Sequence, residues 1–157
     1  MAIDLERQPT QAEVTRFLRL ITKTDTGCWL FQGESETPDG YAHHRPGPGQ
    51  PRWLAHKYSY RIHNGHLTAG YQVDHVCHTQ AVEAGTCDGG PSCPHRKCVR
   101  PDHLELITAA ENTRRQNHAN RNKDYCPQGH PLSGDNLIVW SDGKRRCKAC
   151  RTARRNA

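Results

Sequence analysis

A chain of 157 residues that is 34% hydrophobic, with two Phe and one Met, has room for one domain or one plus a small module, on a thin core. No stretch approaches the roughly twenty apolar residues of a membrane span and the N-terminus carries no signal-peptide h-region, so an intracellular, cytoplasmic protein with reduced thiols is expected rather than a membrane protein or a secreted disulfide scaffold. The net charge of +6 points to a polyanionic partner, most simply nucleic acid.

A chain this poor in apolar side chains needs staples, and eight Cys and eleven His can supply metal sites. Residues 1–9 carry no signal. From Thr10, TQAEVTRFLRLI reads as a helix: Val14, Phe17, Leu18 and Ile21 recur at helical spacing, and Thr10 with Glu13 forms a capping box. Gly27–Phe31 reads as a strand, in which Cys28 alone would be a small buried hydrophobe. Residues 33–51 are rich in Gly, Pro and polar side chains, so a hairpin or long loop is expected, with a short strand at Tyr41–His44. Trp53–His63 has helical spacing at Trp53, Leu54, Lys57, Tyr58, Arg61 and Ile62, and Asn64-Gly65 breaks it. Its His56 and His63 read as structural.

The stretch from Tyr71 to Asn117 carries the chemistry. Tyr71–Cys77 alternates, with Val73, His75 and Cys77 on one strand face. His103–Thr108 supplies a second strand, and Thr108-Ala109-Ala110-Glu111 is a capping box opening a helix in which Asn112 follows. Cys77, Cys98 and His103 have the side chains and spacing of zinc ligands, and Cys28 completes a Cys3His set. His75, with an unperturbed pKa of about 6.5, can accept a proton from water. Asn112 lies near a helix N-terminus, where phosphate is favoured, and its amide oxygen is a hard ligand for Mg²⁺ or Mn²⁺. The insertion Thr79–Lys97 reads as a loop containing Cys87 and Cys93. These two have four open fates: a third zinc with His78 or His95, displacement of Cys28 from the first site, a disulfide, or free thiols.

Residues 113–125 are polar and basic without an apolar stripe: a helix end plus linker. Cys126-x3-His130 and Cys147-x2-Cys150 then bracket Leu137–Trp140 and Ser141-Asp142-Gly143-Lys144, a hairpin with a primed turn. A knuckle, a hairpin and a CxxC entering a basic helix predict a treble-clef or zinc-ribbon module holding a second zinc. Charge follows this division: residues 1–95 hold 8 Lys+Arg against 10 Asp+Glu, a net of −2, and residues 96–157 hold 14 against 6, a net of +8. Arg114, Arg115, Arg121, Lys144, Arg145, Arg146, Lys148 and Arg151 are the expected DNA-binding residues, mainly through phosphates.

Asp74-His75, then Cys98 and Pro101-x-His103-Leu104, then Glu111-Asn112 on a helix resemble the HNH, or ββα-metal (His-Me finger), endonucleases. The added Cys and His ligands are similar to those of the His-Cys box homing endonucleases and the zinc-containing HNH proteins of phages. The resemblance runs from Gly27 through the helix at Asn112 and more weakly into the second zinc motif, about three quarters of the chain. It implies an α+β fold and a nuclease that hydrolyses phosphodiester bonds in double-stranded DNA, with His75 as general base and Asn112 on the catalytic Mg²⁺ or Mn²⁺. It also implies that Arg52, before a Trp and ahead of a helix, sits near the scissile phosphate, and that Cys28 is a zinc ligand. In some HNH enzymes the residue matching Asp74 is a second metal ligand; strand alternation separates it from His75, so both readings stay open. One departure is Arg100, where the family usually has the Asn that braces the loop carrying the catalytic His. The expected organisation is an N-terminal helix (1–26), a nuclease core with structural zinc (27–118), and a basic linker with the zinc module (119–157). A catalytically decayed zinc-dependent DNA-binding protein is the rival reading, and whether the chain works as a monomer or a homodimer is open.

Overall fold

The computed structural model describes residues 7–33, 35–87, 89–116, 123–141 and 144–156. Helices and short strands alternate along two compact units, Met1–Asn112 and Thr113–Ala157.

Helix α1 (Gln11–Leu18) opens on the expected capping box. The Glu13 N–H donates to Thr10 Oγ1 at 3.3 Å, and the Thr10 N–H donates back to the Glu13 carboxylate at 2.8 Å. Ile21 leaves the helix predicted for it. It starts β1 (Ile21–Lys23), which pairs antiparallel with β2 (Trp29–Phe31), because the β-branched pair Ile21-Thr22 fits a ladder better than a helix. Likewise Trp53 and Leu54 form β4 (Trp53–Leu54) against β3 (His43–His44), so α2 (Ala55–Asn64) begins two residues later than its spacing suggests. Gly65, at φ 87°, ends α2 as expected, its N–H returning to the Arg61 carbonyl. The core of this unit joins Phe17, Phe31, Trp53, Tyr58, Val73, Val99 and Leu104, with the Phe17 ring 4.9 Å from Phe31 and 5.1 Å from Tyr58.

Strands β5 (Tyr71–His75) and β6 (Leu104–Thr108) pair antiparallel in full register, from Tyr71↔Thr108 to His75↔Leu104. Helix α4 (Ala109–Gln116) follows β6 without a loop, and the Glu111 N–H donates to Thr108 Oγ1 at 3.2 Å. The insertion between the two strands is not the loop expected. It opens with α3 (Val76–Glu83) and closes with 3₁₀ turns at Pro94–Lys97 and Pro101–His103. Cys77 therefore sits in the first turn of α3 rather than on the strand face with His75. The ladder ends at His75↔Leu104, and the backbone released from it turns helical at once.

In the second unit Cys126–His130 forms a tight knuckle, with Cys126 N–H donating to the His130 carbonyl at 2.9 Å and Gly129 at φ 78°. Strands β7 (Leu137–Val139) and β8 (Arg145–Cys147) make the expected hairpin and lead into α5 (Lys148–Arg155). Leu132 and Leu137 pack against Cys126 and Cys147 as a small core. The turn residues Asp142 and Gly143, Arg121 and the linker segment 117–122 lie outside the described residues. Among the described residues no helix is long and apolar enough to cross a membrane.

Candidate metal centres and the His75 to Asn112 site

All eight cysteines are free thiols, and they gather with His into three sets of four ligand atoms, each set lying within 4.8 Å of one another. The first is Cys28, Cys77, Cys98 and His103, where the His103 Nδ1 lies 3.7 Å from Cys28 Sγ and 3.6 Å from Cys98 Sγ. Tetrahedral Zn²⁺ with legs of about 2.0–2.3 Å sets its ligands roughly 3.5–3.8 Å apart, so this set fits zinc. Hydrogen bonding with Cys77 and with backbone N–H groups pulls the Cys98 thiol down to about 5, whereas the hydrogen bond with Cys98 pushes Cys77 up and burial lifts Cys28 to about 11. The second set is Cys126, His130, Cys147 and Cys150, with Cys126 Sγ 3.7 Å from Cys150 Sγ and 3.5 Å from His130 Nδ1. Asn136 braces it: its Oδ1 accepts the Ala149 N–H at 2.9 Å and its Nδ2 approaches Cys147 Sγ at 3.3 Å.

The third set contains Cys87 and Cys93. They join both His78 and His95, leaving Cys28 in the first site. The Cys93 Sγ lies 3.2 Å from His78 Nδ1 and 3.2 Å from His95 Nδ1, with Cys87 Sγ at 2.7 Å. This Cys2His2 set spans α3 and the Pro94–Lys97 turn. The Arg96 beside it donates to the carbonyls of Asp39 and Gly89, each at 2.9 Å, and lies 5.1 Å over the Tyr41 ring. Gly40 allows this meeting, since a Cβ there would fall 1.9 Å from the Pro91 carbonyl oxygen.

His75 ends β5 with its ring 3% exposed, between Tyr41 at 5.9 Å and His56 at 4.7 Å. Its Nε2 lies 2.9 Å from the Cys98 carbonyl oxygen, which can only accept, so Nε2 carries the proton and Nδ1 is the basic nitrogen. Burial pushes its pKa down to about 3, the Cys98 hydrogen bond opposing this, and the ring is neutral at physiological pH. Tyr41, His56 and Arg96 are neighbours that sequence reasoning missed: His56 read as structural, and no spacing signal links the other two to His75. Arg100, the departure from the family pattern, donates to the Gly27 carbonyl at 3.0 Å and pairs with Asp102 at 3.4 Å. It thus ties the segment before Cys28 to the turn before His103.

Strand alternation sorts the remaining candidates. Val73 and His75 share the buried side of the ribbon, while Gln72 and Asp74 share the other, with Glu105 directly across from Asp74. The Asn112 Nδ2 donates to Gln72 Oε1, so Asn112 belongs with Asp74 and not with the His75 side. Arg52 lines a groove of about 470 Å³ with His43, Lys57, Tyr71 and Val73; His75 is not among its lining residues.

The basic candidates divide too. Arg145 spends its guanidinium on the carbonyls of Lys123 at 3.0 Å and Leu132 at 2.7 Å, so it holds the fold. Lys144, Arg146, Lys148 and Arg151 are exposed, as is Arg114 on α4, whereas Arg115 is half-buried. No family model matches the chain, nor does any curated protein or solved structure.

Proposed function

We propose that the protein is a metal-dependent endonuclease of the HNH, or ββα-metal, type, in the zinc-containing line resembling the His-Cys box homing endonucleases, and that it hydrolyses phosphodiester bonds in duplex DNA. The observation that carries this reading is the β5–β6 ribbon running straight into α4, with the His75 ring held by the Cys98 carbonyl at the strand end and Asn112 fastened over the Gln72–Asp74 side. The Asp74 carboxylate and the Asn112 amide oxygen suit a hard divalent cation, Mg²⁺ or Mn²⁺. Such an ion would supply positive charge to a phosphodiester under attack.

The chain's own residues have separate tasks in this reading. Asp74 and Asn112 would hold the cation, and Gln72 fixes the Asn112 amide by accepting its N–H. His75 keeps its Nε2 proton on the Cys98 carbonyl, so Nδ1 takes the proton from the attacking water. Arg52 approaches the phosphate from its groove as a two-pronged donor. The first zinc and Arg100 hold the loop that presents the Cys98 carbonyl. The second unit, a treble-clef or zinc-ribbon module, holds the DNA backbone.

Two observations favour a second reading, a zinc-dependent DNA-binding protein without catalysis: His75 is nearly sealed under Tyr41 and His56, and it lies on the opposite side of the β5–β6 ribbon from Asp74 and Asn112. Supercoiled plasmid separates the two. The zinc-loaded protein should nick or linearise it only with Mg²⁺ or Mn²⁺ added. His75→Ala should cut about 10²–10⁴-fold more slowly with unchanged zinc content and DNA affinity, and Asn112→Ala should lose cleavage as well. A parent protein that binds the plasmid but never cuts it leaves the second reading standing. A His75→Ala variant cutting within about threefold of the parent removes His75 as the base.

A further inference from the structure

We propose that the second unit carries a binding site for unpaired DNA nucleotides, in a cleft where Trp140 and Tyr125 stack on base faces while Arg146, Arg151 and Arg154 take the flanking phosphates. The proposal deepens the nucleic-acid half of the preceding reading and does not depend on cleavage.

The cleft has a volume of about 850 Å³ and lies wholly within the second unit, between the knuckle, β8 and α5. Among the described residues that line it, seven are Lys or Arg and none is acidic. A wall of one sign of charge selects a polyanion. Trp140 and Tyr125 line the same cleft, 45% and 62% exposed. Exposed rings of this size cost apolar hydration, and neither belongs to the small core, which is built from Cys126, Leu132 and Cys147. The Arg146 guanidinium lies 5.6 Å over the Trp140 ring, so a cation and an aromatic face are held side by side.

A duplex does not need this combination. Its phosphates can be held by any basic surface, and its base faces are hidden in the stack. An unpaired nucleotide presents a phosphate and a bare π-face together, the pair of groups that a cationic cleft with exposed aromatics complements. Nucleotides of this kind occur at strand ends, gaps and melted segments. The sequence signal was present in Tyr125 and Trp140, but their convergence depends on the knuckle and hairpin folding onto one zinc set.

The test is binding, read with the full-length zinc-loaded His75→Ala protein and no added Mg²⁺ or Mn²⁺, so that cleavage plays no part. Fluorescence anisotropy is measured with labelled oligo(dT), the matching duplex and oligo(rU). Oligo(dT) should bind and quench tryptophan emission. Trp140→Leu should weaken oligo(dT) about tenfold and the duplex less than twofold, since stacking is worth about tenfold or more per base. Trp140→Phe should keep most of the affinity but lose the quench, and Tyr125→Leu should repeat the selective loss. Zinc content is read alongside, and a variant that sheds zinc is replaced by the other position. Equal losses on oligo(dT) and duplex, or no loss on either, overturn the proposal, and so does tighter binding of oligo(rU) than oligo(dT). A protein that discriminates in this way yet never cuts plasmid loses the nuclease reading and keeps this one.

Discussion

His44 shows how one buried side chain sets an acid limit on the fold. Its ring packs edge-on against Phe17 and Phe31, and its Nε2 is buried without a hydrogen-bond partner among the described residues. Burial, reinforced by nearby Arg16, pushes its pKa down to about 4. The unfolded chain takes up that proton near pH 6.5, so stability is fully present above about pH 6.5 and falls as pH drops toward 4. His44→Phe removes this term. Chemical denaturation of parent and variant at pH 7 and pH 5 should show the variant gaining about 2 kcal/mol relative to the parent on acidification. All other groups are common to both proteins and cancel in the comparison; an unchanged difference at the two pH values would falsify the assignment. At this scale the first and second Cys/His sets were readable in the sequence, because Cys and His at fixed spacing declare their chemistry, whereas the gathering of Cys87 and Cys93 with both His78 and His95 was not. The roles of Arg100, Tyr41 and Arg96 were not, because each depends on which distant loops meet. Arg100 bonds Gly27, and Arg96 bonds Asp39.

Among the elements, the pairing of β5 with β6 and the capped start of α4 follow from alternation and a Thr/Glu signal, and both form where expected. Short strands such as β1 and β4 were invisible: two or three residues carry no period, and their partners are set by tertiary packing. The insertion was misread as a loop because α3 has too few apolar residues for a stripe; the Cys2His2 set includes His78 of that helix. That set makes a countable prediction. Purified protein should hold three zinc ions per chain by elemental analysis, and Cys87→Ser with Cys93→Ser should lower the count to two. Parent protein holding two would assign Cys87 and Cys93 to free thiols. Losing the third zinc should also loosen Arg96 from Asp39 and Tyr41, so hydrogen exchange should rise at residues 39–41 in the double variant while the 126–150 site stays protected.

On the scale of the molecule, charge is the property that composition read most directly and geometry then refined. The excess of +8 in residues 96–157 points to a polyanion, tracked by eight of the Lys and Arg there, Arg145 and Lys148 among them. The structure separates them: Arg145 binds two backbone carbonyls, whereas Lys148 is exposed on α5 and lies outside the aromatic cleft. A cation that neutralises a phosphate releases condensed counterions, about 0.9 in the slope of log affinity against log salt for each duplex phosphate. Lys148→Gln should therefore lower the slope for duplex DNA by roughly one and leave melting nearly unchanged. Arg145→Gln should do the reverse. Its loss leaves the Lys123 and Leu132 carbonyls without that donor, costing on the order of 1–3 kcal/mol in the second unit, while the salt slope moves little. Measuring affinity at several salt concentrations for the parent and both variants distinguishes the roles. Equal slope changes from the two substitutions would show that Arg145 reaches DNA in the complex, and that its carbonyl contacts give way when the polyanion arrives.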